Sequence, residues 1–67
     1  MTVDPTGLLI IRAWLEHASA KPLRAHIRLT TDVSAGLTGE MTLADVSAVS
    51  EAVETWLEEV LLNGQAG

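Results

Sequence analysis

Apolar and polar residues alternate along residues 23–32, LRAHIRLTTD. The odd-numbered positions are apolar up to Leu29, and the even-numbered positions are all polar. A period of two places successive side chains on opposite faces of a strand. The segment therefore predicts a half-buried β-strand whose second face carries two arginines and a histidine.

The preceding segment, residues 8–17 with the sequence LLIIRAWLEH, also predicts a strand. Its first four residues are all apolar, which is typical of a strand that is buried on both sides or that needs a partner along its edge. Residues 18–22, ASAKP, have the length and composition of a hairpin loop. A shorter third strand is predicted over residues 37–42, after the turn-forming SAG at 34–36.

The last predicted element is an amphipathic helix over residues 43–62. Its apolar residues recur at steps of three and four, and serine and glutamate gather on the opposite side. Thr42 is a suitable N-cap, and Asn63-Gly64 supplies a stop signal. Residues 1–6 then form an N-terminal arm, and residues 64–67 form a tail.

A helix over residues 5–19 is the competing interpretation. Asp4-Pro5 is a typical helix start, and the apolar residues that follow also fit a helical spacing, which would give an all-α bundle. The strict alternation after Pro22 favours strands. The sequence therefore predicts one α+β domain over residues 1–67: an antiparallel hairpin or three-stranded meander with one C-terminal amphipathic helix packed on one face.

The order of these segments resembles a group of known proteins. IIRAWLE, then LRAHIRLTTDV, then a helix containing AVETWLEEVL is similar to short uncharacterised proteins of high-GC Gram-positive bacteria. The resemblance spans most of the chain and rests on pattern. It implies a strand–strand–(strand)–helix unit and no assigned activity.

The expected hairpin register follows from the five-residue loop at 18–22. Paired positions then sum to 40, which places Ala13 opposite Ile27 and Arg12 opposite Arg28. One face of the hairpin is continuously apolar, and the helix is expected to cover it. A slip of two residues would change the partners but keep the same residues on each face.

The other face of the hairpin is the candidate binding surface. It combines arginine with tryptophan, a pairing enriched at binding hot spots, and its neighbouring arginines favour an anionic group nearby. We call this surface the back face. Its predicted partner-binding residues are Leu8, Ile10, Arg12, Trp14, Arg24, His26 and Arg28.

The length and composition indicate self-association. A chain of 67 residues buries a marginal core, and small domains usually add disulfides, a metal or a second subunit. There is no cysteine, and the two histidines and scattered carboxylates lack the spacing of a metal site. The expected partner is therefore a second copy, joined through the first strand to extend the sheet, with another protein as a further partner.

Charge and motifs narrow the function classes. The net charge is −5, with four lysines and arginines against nine acids, which disfavours nucleic acid. Glu16, His17 and His26 form no recognisable acid–base or nucleophile arrangement, so neither an enzyme nor a cofactor is predicted. No signal peptide or membrane span is recognisable, so a cytoplasmic location is expected. The predicted function is an interaction module or accessory subunit; the alternative is nucleic-acid or anion binding through the back face.

Overall fold

The structure, a computed structural model, describes residues 5–65 and consists of a three-stranded antiparallel sheet followed by one helix. Its elements in chain order are β1 (Leu8–Leu15), β2 (Leu23–Thr30), a 3-10 turn (Val33–Ala35), β3 (Gly39–Leu43) and α1 (Val46–Gln65). The predicted α+β fold with a third strand is therefore confirmed. The competing helix over residues 5–19 is wrong, because most of that segment is β1.

Parts of the predicted termini lie outside the described residues. These are residues 1–4 of the predicted N-terminal arm and residues 66–67 of the predicted tail. Glycine is a helix stop signal, so Gly64 is predicted in the tail, but it lies within the last turn of α1.

The hairpin strands are each two residues shorter than predicted. At the loop end, the Glu16 amide donates to the Pro22 carbonyl at 2.6 Å, and the Ser19 amide donates to the Glu16 carbonyl at 3.1 Å. These bonds close a turn that begins at Glu16, so the last strand pair is Leu15 with Leu23. Pro22 has no amide hydrogen with which to return a ladder bond.

The predicted hairpin register is wrong by two residues. Paired positions sum to 38, so Ile11 lies opposite Ile27 and Arg12 lies opposite His26. A shift of two keeps every side chain on its predicted face, because side chains alternate with a period of two. The shift also separates Arg12 from Arg28, which removes the expected like-charge pair.

The end of β2 is determined by side-chain hydrogen bonds. The Asp32 carboxylate accepts from both the hydroxyl and the amide of Ser34, at 2.7 and 3.0 Å, and caps the 3-10 turn. Bonds from the Ser34 hydroxyl and amide lower the pKa of the Asp32 carboxyl. Thr30 is buried, and its hydroxyl bonds to the backbone of Asp32. The turn then ends at Gly36, whose φ of 82° favours glycine.

The third strand and the helix meet later in the chain than predicted. β3 extends to Leu43 and pairs Thr42 with His26, so Thr42 is a strand residue and not the helix N-cap. Asp45 takes that role: its carboxylate accepts from the Ser47 amide at 2.9 Å, and its carbonyl accepts from the Val49 amide.

Helix α1 runs back along the sheet parallel to β2. It begins beside the hairpin loop, and further along Trp56 Nε1 donates to the Thr30 carbonyl at 2.9 Å. Val60 then lies against Gly7, just before β1. The helix thus passes over β2, where Ala25 and Ile27 are buried, reaches the start of β1 at Val60 and continues to Gln65.

Candidate functional site

The structure places all seven predicted partner-binding residues on one face of the sheet, away from α1. All four of the β1 residues, Leu8, Ile10, Arg12 and Trp14, are paired directly with residues of β2. The pairs across this back face are Ile10–Arg28, Arg12–His26 and Trp14–Arg24. Glu40 and Thr42 of β3 continue the same face.

Trp14 is held on the back face by its two neighbours on the same side of the chain. The Arg12 guanidinium lies 5.4 Å from the centre of the indole ring, within the range of a cation–π interaction. Trp14 Nε1 donates to Glu16 Oε1 at 3.2 Å. The indole therefore has one polar neighbour on each side while remaining exposed.

Arg24 is committed to the hairpin loop. Its guanidinium donates to the carbonyls of Lys21 and Leu23, the latter at 2.8 Å, and to the Ser19 hydroxyl at 3.3 Å. These bonds use three of the five guanidinium N–H groups. Arg24 therefore supports the loop and keeps two N–H groups for a ligand.

His26 and Glu40 are joined by a side-chain hydrogen bond across β2 and β3. His26 Nε2 lies 2.8 Å from Glu40 Oε1, with the histidine half-buried and the glutamate exposed. The hydrogen bond and charge of His26, with a smaller contribution from Arg28, lower the pKa of the Glu40 carboxyl. Glu40, which lies opposite Arg28 and is bonded to His26, thus already places one acid beside these two residues of the back face.

Strand β1 is exposed on both faces. On the back face Leu8, Ile10 and Trp14 are exposed. On the helix side Ile11 is 43% exposed and Leu15 is 57% exposed. The expectation that α1 covers the whole apolar face is therefore wrong, because the helix lies over β2 and reaches only the start of β1.

The outer edge of β1 is also free along its backbone within residues 5–65, since only β2 pairs with it. The Glu16–Pro22 bond identifies even-numbered residues as those that bond toward β2, because bonded and non-bonded pairs alternate in an antiparallel ladder. Odd-numbered residues such as Ile11 and Ala13 therefore direct their N–H and C=O groups outward. This edge is a template for a further strand.

The exposed flank of α1 is a second apolar surface that the sequence did not separate from the core. Leu57 is 53% exposed and Leu61 is 62% exposed. The opposite flank, with Ala48 and Thr55, borders a groove of about 340 Å³ over β2 and β3. At 3.6 residues per turn, Leu57 and Leu61 then face the β1 side. The helical spacing predicts that both leucines belong to the stripe over the sheet. Only the path of the helix distinguishes them from the residues that do face the sheet.

Two further properties of the described part of the chain bear on function. Among residues 5–65, no three histidine, cysteine or acidic side chains lie together as a metal site requires. The helix α1 is not apolar enough over its length to cross a membrane.

Comparisons with protein families, with curated proteins and with solved structures find no match to this chain. The functional proposal therefore depends on the geometry of β1, the back face and the helix flank.

Proposed function

We propose that this protein is a small self-associating interaction module, or an accessory subunit of a larger assembly, without a catalytic activity of its own. The observation that carries the proposal is the edge of β1, which is apolar and exposed on both faces and has outward-directed backbone groups. Soluble proteins usually protect such an edge with charge, proline, a bulge or a covering element.

A second copy of β1 is the partner that best fits this edge. A two-fold axis that pairs β1 with an antiparallel copy of itself runs perpendicular to the sheet. This rotation keeps the two helix-bearing faces on the same side of the joined sheet. Both helices would lie on one face of a six-stranded sheet, and the two back faces would join into one surface.

The side chains of β1 favour one register of this pairing. With Arg12 on the axis, two guanidinium groups would lie directly opposite each other, which is unfavourable. With Ile11 on the axis, Arg12 lies opposite Ile10 of the second copy, and the two Ile11 side chains meet on the helix side. We therefore place Ile11 at the centre of the dimer.

The joined back face is the proposed surface for another protein. It presents Trp14 and exposed apolar residues of β1 beside Arg12 and Arg28, a combination that suits a partner with both apolar and acidic groups. Nucleic-acid or anion binding by the same face has less support. Arg24 is partly committed to the loop and His26 is bonded to Glu40, which leaves few free cations for a phosphate backbone.

Ile11→Lys tests the proposal. It places two lysines opposite each other at the centre of the proposed interface, so the variant should be monomeric where the unmodified protein is dimeric. The measurement is sedimentation velocity over roughly a hundredfold range of protein concentration, because association follows mass action.

Val33→Lys is the matched control. Val33 is 45% exposed, close to the value for Ile11, and lies in the 3-10 turn, where its amide donates to the Thr6 carbonyl on the β2 side of the chain and not on the outer edge of β1. It should leave the dimer unchanged. A monomeric unmodified protein across the whole range, or equal effects of the two lysines, would contradict the proposal.

A further inference from the structure

The exposed leucines of α1 and the exposed Leu15 of β1 are both apolar. They lie at opposite ends of β1, however. Val60 is against Gly7, before the start of β1, whereas Leu15 is the last residue of β1. At about 3.3 Å per residue, the strand separates the two ends by roughly 23 Å. Leu61 therefore cannot cover Leu15 of its own chain.

Antiparallel pairing of two β1 strands brings these ends together. With Ile11 at the axis, the start of one β1 lies beside the end of the other, so Gly7 is opposite Leu15 of the second copy and Leu9 is opposite Ala13. The flank of α1 that carries Leu57 and Leu61 already faces this side of the sheet.

We infer that Leu57 and Leu61 of one copy pack over Ala13 and Leu15 of the second copy, so that each helix completes the apolar layer above its partner's β1. The inference rests on the proposed β1 pairing and adds a second contact to it.

The surface area of the chain agrees with a missing partner of this size. The chain exposes 4914 Å², whereas a folded monomer of its mass exposes about 4,100 Å². The excess of roughly 800 Å² is comparable to one side of a standard protein–protein interface. Strand pairing and coverage by the helix are the contacts that would bury such surface.

The position of the acidic residues is consistent with this contact. On α1, Glu54 and Glu58 are exposed beyond the leucine flank and away from the sheet. Packing of the flank against β1 of a second copy therefore leaves these carboxylates in water. Direct contact between the two helices would instead bring like charges together.

The test compares Leu61→Glu with Leu62→Glu by sedimentation equilibrium. Leu62 is the adjacent residue, is 65% exposed, and points about 100° further around the helix, away from β1. Leu61→Glu should raise the dimer dissociation constant by at least about tenfold, and Leu62→Glu by less than about threefold. Circular dichroism should show unchanged helix content in both, because both leucines are exposed.

The outcomes separate this inference from the proposed function. If the unmodified protein is a monomer, the β1 pairing fails and the inference fails with it. If the protein dimerises through Ile11 but the two glutamate variants behave alike, only the inference is overturned, and the flank is free surface or a contact for a different protein.

Cross-linking provides a measurement that does not depend on a destabilising charge. The chain has no cysteine, so Leu15→Cys/Leu61→Cys introduces the only two thiols. A bismaleimide much shorter than β1 should convert this variant to a covalent dimer, because the two sites are within reach only between copies. The Leu15→Cys/Leu62→Cys control and both single variants should remain uncross-linked; cross-linking of the control to the same extent overturns the inference.

Discussion

Gly7 is the residue at which the start of β1 meets the helix. A Cβ atom at this position would lie 2.8 Å from Val60 Cγ2, 3.2 Å from Trp56 Cζ2 and 3.3 Å from the Thr30 carbonyl oxygen. Valine and tryptophan side chains here have little freedom to move aside, because each is held between helix and sheet. The close approach of helix and strand therefore depends on the absence of a side chain.

Gly7→Ala should lower the free energy of unfolding by about 1–3 kcal/mol, the usual range for overpacking. Urea denaturation at a fixed protein concentration measures it. Gly64→Ala is the control, because a Cβ there meets no atom within 4 Å and alanine favours a helix. A Gly7→Ala variant with the same free energy of unfolding as the unmodified protein would mean that the helix does not lie against the start of β1.

At the residue scale, the sequence predicted the faces of the strands but not these close approaches. The period of two assigned Arg12, Trp14 and His26 to one face whatever the register. The role of Gly7 depends on where α1 crosses the sheet, and no local pattern in the sequence contains that information. The His26–Glu40 pair was missed for the same reason, since it depends on how β3 aligns with β2.

At the element scale, the His26–Glu40 hydrogen bond joins β3 to the hairpin. His26 lowers the pKa of the Glu40 carboxyl, so the folded state binds this proton less readily than the unfolded state does. The resulting stabilisation is fully present above the unfolded pKa and is lost as the pH falls through the lower folded pKa. Asp32 behaves in the same direction through its bonds to Ser34.

Glu40→Gln should therefore reduce the loss of stability on acidification. Between about pH 5 and pH 3, the melting temperature of the unmodified protein should fall more steeply than that of the variant. Glu54→Gln, which removes the same charge from an exposed helix position, controls for net charge. Identical slopes for the unmodified protein and Glu40→Gln would show that the pair does not stabilise the folded state.

The boundaries of the elements were predictable only to within a few residues. Thr42 and Asp45 are both good N-caps three positions apart, and pairing of β3 with β2 decides between them. The hairpin register likewise depends on the turn that starts at Glu16, whose hydrogen bonds have no strong sequence signature. A tertiary contact decides the first case, and a local turn without a distinctive sequence decides the second.

At the scale of the whole molecule, the core is small. Among the described apolar residues, only Ala25 and Ile27 are buried, whereas every residue of β1 except Leu9 is exposed, and so are Leu57 and Leu61 of the apolar stripe of α1. The sequence predicted the sheet, the helix and their order. It could not show how much of a wide apolar stripe is covered by the chain's own sheet.

A chain stabilised by its own dimer should become more stable as it is concentrated. Over roughly a hundredfold range of concentration, the melting temperature of the unmodified protein should rise, because only the folded state dimerises. Ile11→Lys should melt at one temperature throughout. Thermal unfolding followed by circular dichroism measures both melting temperatures. A melting temperature of the unmodified protein that does not change with concentration would contradict the proposed assembly.

The two borders of the sheet differ, and this difference limits growth. β1 offers eight residues, whereas β3 at the other border has only five and carries the charged Glu40. A fibril grows only if each added copy exposes a further edge strand that can pair with the next copy. In the proposed dimer only the short β3 borders would remain at the ends, so we expect the assembly to stop at two chains.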